Sequence, residues 1–272
     1  MRQTFIDIIQ SKGFSVSTEY QRLKELFYNR KAYYSYSEWI TLREYINRFF
    51  LTIKVKGRNL ALSLDDFDKA NNFNFNKKYA DEDLDNLLLF CEYITYFFSQ
   101  LSFPDGLNDL QHIVSEQIET IIQIIGYKPI KKDGVTCYVP KDPAAIEASE
   151  CIDDVDVSYK VLFYNHHSLK GDLEGKREIL DKLAHKLEPR KKDLKSVNPD
   201  LSNLLSRTFN NLNIRHNNVE TTSCNEGFAQ LSDEEKEKLY DCVYRYCLMA
   251  FLELENQPLK EMLLNITGKN KK

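Results

Sequence analysis

Residues 81–102, DEDLDNLLLFCEYITYFFSQLS, place apolar side chains at helical spacing from one end to the other. Leu84, Leu87, Leu88, Cys91, Ile94, Phe97, Phe98 and Leu101 fall on one broad face that only a surrounding core can cover. A chain with several such faces buries them by packing helix on helix. FPDG at 103–106 ends this segment, since proline and glycine both interrupt a helix. A second long helix follows at about 107–125, with Ile113, Val114, Ile118, Ile121, Ile122 and Ile125 toward the core. Upstream, YSEWITLREYINRFF takes Ser37 as an N-cap and aligns Trp39, Leu42, Ile46 and Phe49. LTIKVKGRNLALSL alternates around Gly57 and reads as a short strand or hairpin, and LDDFDKANN as a short capped helix.

The period changes once more, in GYKPIKKDGVTCYVP, where Asp133-Gly134 sits between β-prone runs and predicts a small β-hairpin near 127–139. Beyond it the helical pattern returns. Asp142-Pro143, Asn198-Pro199 and the Ser232/Glu235 capping box each announce a helix start. The last long stripe includes Leu239, Cys242, Val243, Tyr246, Cys247, Ala250 and Phe251. The chain therefore reads as mainly α, a multi-helix globular protein with an inserted hairpin. It is expected to divide near Pro104 into an N-terminal helical subdomain (1–103) and a C-terminal helical domain (104–272).

Composition removes several classes of function. A net charge of −4 argues against wholesale, non-specific nucleic-acid binding, without excluding a local basic groove. No apolar run is long enough to span a bilayer, and the N-terminus lacks a signal peptide's h-region, so no membrane partner and a cytoplasmic location are expected. The six scattered cysteines form no CxxC pair, which fits reduced thiols. Walker, dinucleotide-glycine, GxSxG and HExxH patterns are missing. His166-His167 supplies one metal ligand at most, since no partner stands at helical spacing. No metal and no cofactor are expected.

The remaining signal lies in LLSRTFNNLNIRHNN, residues 204–218. There Arg207, Arg215 and His216 stand among Asn210, Asn211, Asn213, Asn217 and Asn218, where an apolar helix runs out. An imidazole is suited to proton transfer near neutral pH, a guanidinium to binding phosphate, and an amide to holding an oxyanion. Together they fit metal-independent RNA cleavage, with a base taking the 2′-OH proton. The same asparagines equally suit a helix cap and turn, with Arg215 and His216 paired to carbonyls or carboxylates. Just upstream, residues 170–195 carry nine Lys/Arg against six Asp/Glu. Lys191 and Lys192 within this run are candidates for a phosphate-attracting rim; the other reading is a solvated helix end.

The segment from Tyr164 to Asn218, YNHHSLKGDLEGKREILDKLAHKLEPRKKDLKSVNPDLSNLLSRTFNNLNIRHNN, resembles the C-terminal helical region of bacterial abortive-infection and related phage-defence proteins of the HEPN type. The resemblance covers roughly residues 150–220. It implies RNA as substrate, a metal-independent endoribonuclease site shared across a homodimer, and His216 in the family's histidine role. The family's motif is Arg-polar-x(4–6)-His, and near the place where it expects the arginine this chain has Asn210 and Asn211, neither of them cationic. Arg207 lies nine positions before His216, about 180° around an uninterrupted helix, and Arg215 is adjacent to it, about 100° away. Three outcomes stay open: a kink brings Arg207 round, Arg215 substitutes, or the site does not cut. The alternative function is a non-catalytic interaction or sensor subunit of a defence system, working with a protein partner.

Overall fold

A computed structural model of the chain describes residues 13–35, 37–76, 83–215 and 226–268. These residues are mainly helical, with two small antiparallel two-stranded sheets. The chain forms two compact units, Met1–Tyr138 and Val139–Lys272, each with its own hydrophobic core.

The N-terminal unit begins with α1 (Val16–Lys24), capped by Ser15 and continuing into a π-helical turn, Glu25–Asn29. Strands β1 (Lys31–Ser35) and β2 (Glu38–Thr41) form a hairpin, followed by α2 (Leu42–Phe49) and the short α3 (Leu64–Ala70). The two long helices are α4 (Leu84–Gln100) and α5 (Asp105–Ile124). Hairpin β3 (Tyr127–Lys132) and β4 (Val135–Pro140) closes the unit. Its turn has positive φ at both Asp133 and Gly134, which matches the strand twist as Asp-Gly predicts.

The core of this unit is aromatic. Phe27, Phe50, Phe90 and Phe97 are sealed from solvent, and Phe75 stacks on Phe90 with ring centroids 4.7 Å apart. Offset and edge-on rings of this kind add to the hydrophobic gain of burying them. Polar atoms that follow the rings inside find partners: the Tyr20 hydroxyl donates to the Phe75 carbonyl at 3.2 Å. Gly106 lets α5 approach β1, because a Cβ there would stand 2.5 Å from the Tyr33 carbonyl oxygen.

Four expectations are corrected here. Residues 38–41 form β2 rather than helix; the α2 cap is Thr41, in a capping box with Glu44, and Trp39 is exposed. β-branched Ile40 and Thr41 pair well in a strand, and the Thr41/Glu44 box fixes a later start. Residues 51–63 form turns, not a strand, with Ile53 and Ala61 buried and the Ala61 N–H donating to the Arg58 carbonyl at 3.0 Å. On α5, Ile113 points outward while Leu107, Leu110, Val114, Ile118, Ile121 and Ile122 face the core. The division falls between Tyr138 and Val139 rather than at Pro104, because α5 packs on β1 and β3 and buries its apolar face in the aromatic core.

The C-terminal unit contains α6 (Pro143–Glu150), α7 (Val155–Phe163), α8 (Leu173–Leu187), α9 (Lys191–Val197), α10 (Pro199–Asn211), α11 (Glu226–Ala229), α12 (Asp233–Glu255) and α13 (Gln257–Thr267). Asp142, Asn198 and Ser232 cap their helices as the sequence predicts. Helix α12 packs against α6, α8, α9 and α10, so its 23 residues organise the unit. Tyr164 lies flat on Tyr244, 3.9 Å between centroids, and the Tyr244 hydroxyl donates to the Val161 carbonyl at 2.7 Å. Lys176 is the buried cation of this core, and its ammonium meets Asp241 at 2.7 Å and Glu237 at 2.8 Å. Two carboxylates offset the cost of taking that charge out of water. Among the described residues, no helix is long and apolar enough to cross a membrane.

Candidate functional site

The predicted site begins on α10, whose buried face carries Leu201, Ser202, Leu205 and Phe209. The helix ends because Asn213 takes a left-handed backbone, φ 56°, a conformation that asparagine tolerates better than most residues. The Arg215 N–H then donates to the Phe209 carbonyl at 3.3 Å, and Ile214 is driven fully into the core. Two side chains tie down the carbonyls left over by the turn. The Tyr240 hydroxyl donates to Leu212 and Nη1 of Arg177 to Ile214, each at 3.3 Å.

Arg215 is committed to this turn. Its Nη2 donates to the Glu188 carboxylate, and its guanidinium lies 5.2 Å from the Phe209 ring centroid. Lys191 approaches the same carboxylate at 3.9 Å. Among the described residues, Glu188, Lys191, Leu194, Phe209 and Arg215 line a shallow space of about 10 Å³, room for about one water. Arg207 sits on another face of α10, exposed, beside exposed Asn210 and Asn211 one turn on. No ion pair holds Arg207 among the described residues. Lys191 and Lys192 are both exposed at the start of α9. His216 and Asn217 lie outside the described residues. The structure thus brings Arg215 and Lys191 together at Glu188, and groups Arg207 with Asn210 and Asn211 elsewhere.

The N-terminal unit holds a roomier place. Arg43 on α2 reaches across to α3, where its Nη2 donates to Asp65 at 2.6 Å and to Asp68 at 2.7 Å. The other Asp68 oxygen accepts from the Tyr93 hydroxyl at 2.9 Å. Burial pushes the Asp68 carboxyl up to about 6, with Arg43 and the Tyr93 hydrogen bond opposing the rise. Burial likewise raises the Tyr28 and Tyr93 hydroxyls. The Arg43 guanidinium lies 5.4 Å from the Tyr28 ring centroid. Tyr28, Arg43, Asp65 and Asp68 line a cleft of about 550 Å³, with Lys69, Phe73, Asn74, Phe75 and Asn76 completing its walls. That volume is within the range of small-molecule sites, about 300–1,000 Å³.

No family model matches the chain, and no curated protein and no solved structure is similar to it. The cleft escaped the reading of the sequence because its parts are ordinary locally. LDDFDKANN looks like a capped helix and is one, with Ser63 accepting from the Asp66 N–H. The available signal was the Asp65/Asp68 pair at helical spacing, two carboxylates on one face in need of a cation. That the cation is Arg43 follows only from the packing of α2 on α3.

Proposed function

We propose that this chain is a non-catalytic binding subunit of a bacterial antiphage-defence system, HEPN-like in its C-terminal region and working with a second copy or a protein partner. The resemblance over residues 150–220 supports the setting. The observation that carries the non-catalytic part is the commitment of Arg215: paired with Glu188, laid over Phe209 and beside a space of about 10 Å³, it works as a clamp on the turn. A guanidinium seated between a carboxylate and a ring, beside so little free space, is placed to hold the turn rather than to meet a phosphorane.

The second reading, a metal-independent endoribonuclease, is favoured by one observation. Arg207 is exposed on α10 beside Asn210 and Asn211, so a cation and two amides share an open surface. The two readings separate in one assay. Purified full-length protein is incubated with a mixed RNA pool and a chelator, next to His216→Ala and Arg207→Ala variants. The binding-subunit reading expects intact RNA in all three. Cleavage by the unmodified chain that either variant abolishes would establish the nuclease instead.

A further inference from the structure

We infer that the cleft between α2, α3 and the Phe73–Asn76 segment binds a phosphorylated nucleoside, with Arg43 and Lys69 on the phosphate and the base against Tyr28 and Phe73. The inference concerns the N-terminal unit and does not rest on the defence reading.

The arginine is pre-oriented. Asp65 and Asp68 both accept from the same nitrogen of Arg43, Nη2, which fixes the guanidinium plane. Among the described residues, its Nε and Nη1 hydrogens have no acceptor, although the side chain is only 15% exposed. Both two-point edges of a guanidinium include Nη2, so an anion that takes the place of one of these carboxylates meets Arg43 in two-point fashion, through Nη2 and a neighbouring free nitrogen. The two ties are unequal. Asp68 is almost enclosed, whereas the Asp65 side chain is 68% exposed and its pairing is screened by water, so an incoming phosphate displaces Asp65 first. Lys69, exposed at the mouth of the cleft, adds a mobile positive charge.

An inorganic anion would leave most of this volume empty. The cleft is also aromatic: half-buried Tyr28 and Phe73 line it, and Phe73 is braced by Phe75, 18° from parallel with centroids 5.5 Å apart. Braced rings are platforms on which a flat heteroaromatic base stacks regardless of its identity. The Asn74 amide N–H₂ donates to the Asn72 carbonyl at 2.9 Å, which turns its oxygen into the acceptor available to a base edge. Phosphate, flat ring and polar ring edge are the three parts of a nucleotide. The ligand is either a free nucleotide or one residue of a single-stranded RNA, and both offer the same chemistry.

Titration calorimetry on the full chain tests this with AMP, GMP, CMP and UMP, the matching nucleosides, inorganic phosphate and a short single-stranded oligoribonucleotide. At least one monophosphate binds with one-to-one stoichiometry, and its nucleoside binds at least about tenfold more weakly for want of the charge-assisted contacts. Lys69→Ala weakens the nucleotide by about tenfold without lowering thermal stability, since Lys69 is exposed and makes no ion pair among the described residues. Arg43→Lys keeps the charge beside Asp68 but loses the planar fork, and weakens binding further. Equal affinity for monophosphate and oligoribonucleotide assigns the site to RNA, and binding of the monophosphate alone assigns it to a free nucleotide; both support the inference. It is overturned if no monophosphate binds at millimolar concentration. It is overturned equally if inorganic phosphate binds as tightly as any nucleotide, or if Lys69→Ala and Phe73→Leu leave the affinity unchanged.

Discussion

Arg43 is held by two carboxylates and Arg215 by one, each beside an aromatic ring, yet they face different surroundings. Arg43 is tied on one nitrogen by Asp65 and Asp68, lies near Tyr28, and lines a cleft of about 550 Å³. Arg215 is paired with Glu188 over Phe209, beside about 10 Å³ of free space. The residue that looks catalytic in the sequence is the one folded into a turn, and the one hidden in a plain helix lines the open cleft. A motif's chemistry depends on what its neighbours leave uncommitted.

The largest expected effect comes from removing Arg43. Arg43→Ala strands the Asp68 carboxylate in a nearly buried position, a change that typically costs about 3 kcal/mol. The cost depends on pH in a defined direction. The folded-state pKa of Asp68, about 6, lies above the ordinary aspartate value, so the protonated form is the one the fold favours. Its contribution is full below about pH 4 and is lost as pH rises through about 6. Urea unfolding should therefore show a larger penalty for Arg43→Ala at pH 7 than at pH 5, where the carboxyl is mostly protonated. An equal penalty at both pH values would break the contrast between the two arginines.

A smaller effect is expected at the turn. Arg215→Ala should lower stability by about 1 kcal/mol through loss of the Glu188 pair and the Phe209 contact, measured by urea unfolding. The smallest effect sharpens the comparison at Asn213. If its role is the left-handed turn, Asn213→Gly should be within a few tenths of a kcal/mol of the natural chain, while Asn213→Ala should cost about 1 kcal/mol. A loss of RNA binding in Asn213→Gly with stability intact would restore the substrate role that the sequence suggests for this asparagine.

Much of the fold was legible because it follows local rules. Asp142-Pro143, Asn198-Pro199 and Ser232/Glu235 mark helix starts where the structure has them, and Asp133-Gly134 marks a hairpin. The β1–β2 hairpin was not legible. Glu38–Thr41 carries no turn signature before it, and Trp39 matches a helical stripe as well as it matches the outer face of a strand. The Tyr138/Val139 division was hidden too, since FPDG ends a helix without saying which core the next one joins. For the site, the asparagine-rich end of α10 was legible as a turn at Asn213. Glu188 as partner of Arg215 was not, because 27 residues separate them and only the packing of the unit brings them together.

A double-mutant cycle on Arg215 and Glu188, followed by urea unfolding, tests the central claim most directly. The account predicts that Arg215→Ala and Glu188→Ala each destabilise the chain and that the pair is coupled by about 0.5–1 kcal/mol. Additive single effects with no coupling would mean that Glu188 does not hold the guanidinium, leaving Arg215 available for a phosphate and contradicting the assignment of this turn as structure.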